Sequence, residues 1–253
     1  VTDLSAFSLA GKRIAVTGAN TGIGQGLAVA VARAGGAVVG IGRSTMDQTA
    51  KLVEGEGVSF LAVRVDLADT TAAVAMLNDL MAAGPLDGLV NNAGIIRRAD
   101  SVDFTEEDWD DVMKVNLKSL FFLSQAYGRA CIAAERAGRI VNIASLLSFQ
   151  GGIRVPSYTA SKHGVVGITR LLANEWAAKG INVNAIAPGY IETNNTEALR
   201  NDPDRSKSIL ERIPAGRWGV ADDIGDAAVF LLARASNYMH GAVIPVDGGW
   251  LAR

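Results

Sequence analysis

The sequence predicts one α/β domain over residues 1–253, built on a parallel, doubly wound sheet with helices on both faces. Short apolar runs rich in Val, Ile and Ala alternate with helix-length segments along the whole chain, which is the pattern of βαβ units. No composition break, repeat or low-complexity stretch interrupts the alternation, so no second domain is expected. The first apolar run also leads at once into a glycine-rich turn and a helix. Rossmann-type sheets take a dinucleotide through this arrangement.

A chain of 253 residues that is 49% hydrophobic, with 28 Gly and only 6 Pro, can build a large core and is unsuited to disorder. A formal net charge of −2 supplies neither the basic field that nucleic acid requires nor a polybasic membrane patch, so neither partner is expected. Cys131 is the only cysteine. It cannot close an internal disulfide, and no cluster of His, Cys and carboxylates suggests a metal. Its expected place is as a small buried helix residue in a reducing compartment, not as a nucleophile. The start of the chain has no basic segment leading into an apolar run, and no stretch of about 18 apolar residues occurs. The expectation is a soluble, cytoplasmic protein.

Residues 12–17 form the first strand. Glycines at 18, 22 and 24 follow, then a helical segment over 25–33. Such glycines let the backbone approach a pyrophosphate, while the helix N-terminus offers free N–H groups and partial positive charge. A plain tight turn is the other reading of the same residues. The second strand, 37–41, ends at Gly42 and Arg43. An acid there would hold the ribose 2′-OH of NAD, whereas an arginine suits the 2′-phosphate of NADP. Arg43 leans toward NADP(H), although an arginine at a strand end is as often a solvated charge, and Asp47 stands close by in sequence.

A helical segment near 45–54, a strand over 59–65 and a helix over 70–83 come next. Asp66, at the end of that strand, suits either an adenine amine or a turn cap. Residues 85–90 form a fourth strand that opens into Asn91, Asn92, Ala93 and Gly94, small and amide residues that allow a ligand close approach at a strand's carboxyl end. A long helix begins at Thr105, acidic in its first turn as the dipole favours, and runs to about Arg136. Within it Asn116 lies among Val112, Val115, Leu117 and Leu120, where an amide needs partners. A core asparagine that kinks the helix and one that carries a water are both open. The fifth strand, 139–144, delivers Ser145, and a helix from Pro156 carries Tyr158 and Lys162 to about Ala178. The sixth strand, 181–187, ends at Pro188 and Gly189. The polar segment over 189–215 is the expected substrate lid. A helix near 221–233 and a strand over 242–246 close the chain before its last seven residues.

Chemistry concentrates between Ser145 and Lys162. Residues four apart share a helical face, so Tyr158 and Lys162 lie one turn apart. A phenol ionises near pH ~10. A neighbouring ammonium would favour the phenolate, lower that pKa and make Tyr158 a general acid or base near neutrality. Ser145 can hold the oxygen of the reacting group. A hydrolase is disfavoured, because His163 and His240 are the only histidines, no motif places either, and no Gly-x-Ser-x-Gly elbow occurs.

In order and over essentially the whole chain, Thr17-Gly18-x3-Gly22-x-Gly24, Asn91 to Gly94, Asn116, Ser145, Tyr158-x3-Lys162 and Pro188-Gly189 resemble the short-chain dehydrogenase/reductase family. The resemblance implies a nicotinamide-dependent oxidoreductase. Tyr158 would be the acid/base, with Ser145 orienting the substrate oxygen and Lys162 holding the nicotinamide ribose and lowering the tyrosine pKa. Asn116 would hold a relay water. The implied coenzyme contacts are Gly18, Asn20, Thr21, Gly22, Ile23, Gly24 and Arg43 at the first two strand ends, then Asp66, Leu67, Asn92, Ala93 and Gly94. Tyr158, Lys162, Pro188, Gly189, Ile191 and Thr193 complete them. A redox sensor that binds coenzyme without catalysis would need a broken catalytic set, and every member is present.

A closer likeness lies in residues 148–158, in Ile96 with Arg97 and Arg98, in 213–219 and in 247–253. These resemble members of the family that act on 2-dehydro-3-deoxy-D-gluconate and related keto-deoxy sugar acids in uronate polysaccharide breakdown. Related enzymes reduce the deoxy-hexulose uronate released from alginate, which is the alternative substrate. That group is mostly associated with NAD(H), while Gly42 and Arg43 fit NADP(H), so both coenzymes are carried forward. A carboxylate substrate calls for a guanidinium in the crevice. Arg154 is the first choice because it sits between Ser145 and Tyr158, and Arg97, Arg98 and Arg217 follow. Each can equally be a surface ion pair. With Ser145, Gln150 and Tyr158, Arg154 and Arg97 form the expected substrate set. The family further implies a homotetramer, in which the Asn116 and Tyr158 helices pack across a dimer and the apolar tail from Trp250 can join an interface.

Overall fold

Runs of Val, Ile and Ala without polar alternation need burial on both faces, which a parallel sheet covered by helices provides. In the computed structural model, which describes residues 3–253, seven strands form one sheet, and the inner five are buried. The seven are β1 (Arg13–Thr17), β2 (Ala37–Gly42), β3 (Phe60–Arg64), β4 (Gly88–Asn91), β5 (Gly138–Ile143), β6 (Ile181–Pro188) and β7 (Val243–Val246). Every pairing is parallel, in the order β3-β2-β1-β4-β5-β6-β7. The winding direction reverses between β1 and β4, and a crevice opens at the carboxyl ends of the strands there.

Helices α1 (Gly22–Arg33), α2 (Asp47–Gly55) and α9 (Ala221–Leu232) cover one face of the sheet. Helices α3 (Thr70–Ala83), α5 (Ser119–Ala133) and α6 (Pro156–Trp176) cover the other. Alternate strand residues divide between the two cores. Ile14 and Val16 pack with Leu27, Ile224 and Leu231, whereas Ala15 and Leu89 pack with Leu77, Leu123 and Leu172. Cys131 is buried in the second core. No described helix is long and apolar enough to cross a membrane.

Two expectations are refined. The long helix after Thr105 is α4 (Glu106–Met113), a π-helical turn over Lys114–Lys118, and then α5. Thr105 caps its start by accepting from the Asp108 N–H at 3.1 Å. The polar segment after β6 is ordered as a 3-10 turn, Asn194–Thr196, followed by α7 (Glu197–Arg200) and α8 (Pro203–Leu210). Asp202 caps α8 by accepting from the N–H groups of Asp204 and Arg205. The few apolar residues there gather in a small core of their own, where Ile209 and Ile213 meet Trp218, Trp250 and Leu146. Helical periodicity is faint in such a short, mostly charged stretch, which hides these helices from the sequence.

Candidate active site

The crevice begins at the glycine turn between β1 and α1. Gly18 and Gly22 have φ of +68° and +55°, where a side chain is strained, and a Cβ on Gly24 would overlap the carbonyl oxygen of Gly18. Asn92, just past β4, braces this turn. Its Nδ2 donates to Thr17 O at 2.9 Å, and the Thr17 hydroxyl accepts from the N–H groups of Asn92 and Ala93. The backbone is thereby held bare and close beside the N-terminus of α1, a seat suited to a pyrophosphate.

A cavity of about 420 Å³ runs over that turn and across the carboxyl ends of the strands. Gly42, Arg43, Ser44 and Asp66 line one end, and Ser145, Tyr158, Lys162 and Thr193 the other. Arg43 is exposed and has no carboxylate partner among the described residues. Beside it Asn20 Nδ2 donates to the Ser44 hydroxyl at 2.9 Å. Asp66 accepts from the Ala68 N–H at 2.9 Å, so it is a turn cap that also faces the cavity. Asn20, Thr21, Ile23, Leu67, Ala93, Gly94, Pro188, Gly189 and Ile191 all line the same space. Its length, bare glycine cradle and cationic far end fit a nicotinamide dinucleotide.

Ser145 stands two residues beyond β5 and opens a 3-10 turn, Leu146–Ser148. Its hydroxyl accepts from the Leu147 N–H at 3.2 Å. Ser148 ties this turn to α6, because its hydroxyl donates to Lys162 O at 2.7 Å. Pro156 sits in the first turn of α6, where its missing N–H costs nothing, and Tyr158 and Lys162 follow on one face. The Lys162 ammonium lies 5.5 Å from the centre of the Tyr158 ring and donates to Ile143 O at 2.6 Å. Burial lowers its pKa from 10.5 to about 8.

Tyr158 departs from expectation. Burial raises its pKa, and this outweighs the hydrogen bond with Ser145 and the charge of Arg98, both of which lower it. The expected net lowering is therefore corrected, and the cause is the desolvation of the phenol.

Asn116 lies in the π turn, buried. Its Oδ1 accepts from the Ile95 N–H at 2.8 Å, and its Nδ2 donates to Ile95 O at 2.9 Å and to the Ser161 hydroxyl at 3.3 Å. Ser161 in turn donates to Tyr158 O at 2.8 Å. The amide therefore brackets the chain just after Gly94 and links it to the tyrosine's helix. Of the two readings left open by the sequence, the satisfied core amide describes its side chain. Ser148 and Ser161 were not singled out from the sequence, because a serine in a turn or helix carries no distinguishing pattern.

The expected substrate set divides. Ser145 and Tyr158 line the cavity, while Gln150, Arg154 and Arg97 do not. Arg154 pairs with Asp100 at 3.0 Å on an exposed surface, and Arg97 pairs with Asp108 and Asp111 at 3.2 and 3.0 Å. Gln150 accepts from the indole N–H of Trp250 at 3.3 Å. Arg217 forms a bidentate pair with Asp223 at 2.7 and 2.8 Å. Arg98, by contrast, has no carboxylate partner among the described residues. It donates to Asn195 O at 3.2 Å, in the segment after β6, and its charge reaches the Tyr158 phenol.

Residues 18–251 match a family model described as enoyl-(acyl carrier protein) reductase. The chain belongs to the short-chain dehydrogenase/reductase family, NAD(P)-dependent oxidoreductases acting on CH–OH groups. Among individual relatives, it is 56% identical over 251 residues to the 2-dehydro-3-deoxy-D-gluconate 5-dehydrogenase of Dickeya dadantii (strain 3937), covering 99% of both chains. A crystal structure from Agrobacterium tumefaciens, described as a 2-deoxy-D-gluconate 3-dehydrogenase with bound NADP, is 63% identical with a TM-score of 0.95, covering 98% of this chain and 99% of that one. A gluconate 5-dehydrogenase from Burkholderia cenocepacia J2315, in complex with NADP and tartrate, is 37% identical with a TM-score of 0.93 over 99% of each chain.

Proposed function

We propose that this chain transfers a hydride reversibly between NADP(H) and a carbonyl carbon of a keto-deoxy sugar acid of the 2-dehydro-3-deoxy-D-gluconate type, in uronate polysaccharide catabolism. The observation that carries this is the meeting of Ser145, Tyr158 and Lys162 at one end of a dinucleotide-shaped cavity. Relatives named for the same class of sugar acid align with the chain over its full length.

When bound, the nicotinamide supplies or accepts the hydride. Ser145 holds the substrate oxygen by hydrogen bonding. Tyr158 gives its phenolic proton in reduction and takes one in oxidation, and the phenol raised by burial is the proton-donating form. Lys162, 5.5 Å from the centre of the Tyr158 ring, changes protonation at neutral to mildly basic pH and would hold the nicotinamide ribose. Asn116 fixes the chain after Gly94, and its π turn is where the family resemblance would put a relay water. Arg43, with Ser44 and Asn20, takes the 2′-phosphate, which favours NADP(H) over NAD(H). Arg98, unpaired and near Tyr158, is the carboxylate anchor in place of Arg154 and Arg97, and residues 189–215 close over the substrate.

The family expectation of a homotetramer is kept. Leu171, half exposed on α6, and Trp109, exposed on α4, offer apolar surface on the helices that would meet. A reducing cytoplasm suits a chain whose only thiol is unpaired.

Initial rates with NADPH and NADH against a panel of keto-deoxy gluconates and uronates, including the alginate-derived deoxy-hexulose uronate, test the proposal. Turnover of a 2-keto-3-deoxy acid with preference for NADPH is expected. Inactivity on every acid of the panel would overturn it.

A further inference from the structure

The last residues of the chain form a strap beneath the lid. Trp250 is only 4% exposed. Its ring packs with Leu146, which follows Ser145, and with Ile209 and Ile213 from the lid. The Arg212 guanidinium lies 4.0 Å over the indole, and the Tyr190 ring is 4.7 Å away. Arg253 donates to Glu211 O at 2.6 Å and to Arg212 O at 3.3 Å, so it holds the carbonyl end of α8. The tail thus binds the lid on one side and the turn after Ser145 on the other.

One polar contact gives the strap a chemical consequence. The indole N–H of Trp250 donates to Gln150 Oε1 at 3.3 Å. An indole nitrogen only donates, so the amide of Gln150 must turn its oxygen toward Trp250 and its –NH2 away. No acceptor among the described residues takes that –NH2. Gln150 is half-buried and lies outside the dinucleotide cavity, on the turn that follows Ser145, where its own N–H donates to Leu146 O at 3.2 Å and Trp250 joins it to the segment over Ile209 and Ile213.

On the footing of the sugar-acid reaction proposed above, we infer that Trp250 is a positioning residue: its indole N–H fixes Gln150 as a hydrogen-bond donor to a hydroxyl or carboxylate oxygen of the substrate. An amide free to flip would present its oxygen for part of the time and repel those same oxygens. A neutral donor fixed in this way adds specificity for an oxygen-rich, open-chain acid without adding charge.

Trp250→Phe keeps an aromatic ring under Arg212 and removes the N–H together with part of the indole's volume. The variant should raise KM for the sugar acid about fivefold to tenfold, corresponding to roughly one hydrogen bond, with kcat changed less than threefold. NADPH affinity by fluorescence titration should stay near wild type, while Tm should fall for the volume lost from a buried ring. Gln150→Leu should raise KM similarly, and in that background Trp250→Phe should add little. An unchanged KM in either single variant, or a full additional effect in the double variant, would overturn the inference. If Trp250→Phe does not fold, Gln150→Leu alone decides. A wild-type enzyme inactive on every sugar acid would overturn this role together with the proposed function, whereas active wild type with indifferent variants would overturn this role alone.

Discussion

Tyr158 carries two opposing pressures, burial that keeps its proton on and a cation with a hydroxyl that favour its release. Tyr158→Phe should lower kcat by about 10³-fold or more, on the scale of a lost general acid, and leave NADPH affinity within about twofold by titration. Lys162 makes a second prediction. Its pKa is about 8 in the fold against 10.5 in the unfolded chain, so between those values only the unfolded chain binds the proton. Stability from this residue therefore rises with pH through that window, after the cost of the buried ammonium below it. Thermal melts of the coenzyme-free protein and of Lys162→Met should show the wild type gaining on the variant from pH 8 to pH 10. The arginines provide a third. Arg98→Ala should raise KM for the sugar acid at least tenfold, while Arg154→Ala leaves it within about twofold. The i, i+4 spacing made the Tyr158 and Lys162 pair legible in the sequence. Which arginine is unpaired was not legible, because it depends on Asp100, Asp108 and Asp111 arriving from a separate loop and helix.

At the scale of elements, the connection from Ser145 to α6 is tightly bent. Arg154 adopts φ of 64° there without being glycine, and its pair with Asp100 is exposed and worth little. Arg154→Gly should therefore be more stable than Arg154→Ala by about 1 kcal/mol, the cost of left-handed backbone for a residue with a Cβ, as denaturant melts would read. The glycine-turn helix, the acidic start of α4 and the proline start of α6 follow from local chemistry and were visible in the residues. The π turn was not. It arises because Asn116 must reach both the N–H and the carbonyl of Ile95, a contact that only the packed position of the β4–α4 connection creates. The helices α7 and α8 were hidden for a related reason: α8 packs on Trp250 and Leu146, which are distant in sequence.

Across the whole molecule, the cavity runs from the end of β2 to α6, so a coenzyme seated in it would have its preference decided at the far end from the chemistry. Arg43→Ala should lower NADPH affinity by tenfold or more and NADH affinity by less than threefold, as fluorescence titrations would show. Such a loss should weaken with added salt. The sequence by itself determined the alternation that makes a doubly wound sheet, the glycine cradle, and the Ser145, Tyr158 and Lys162 chemistry, because each depends on neighbours within a few residues or on one strand end. Only the tertiary structure decided the sign of the tyrosine shift, the identity of the free guanidinium and the link from the tail to Gln150. Those are set by desolvation and by ion pairs, which depend on which distant segments come to lie against one another.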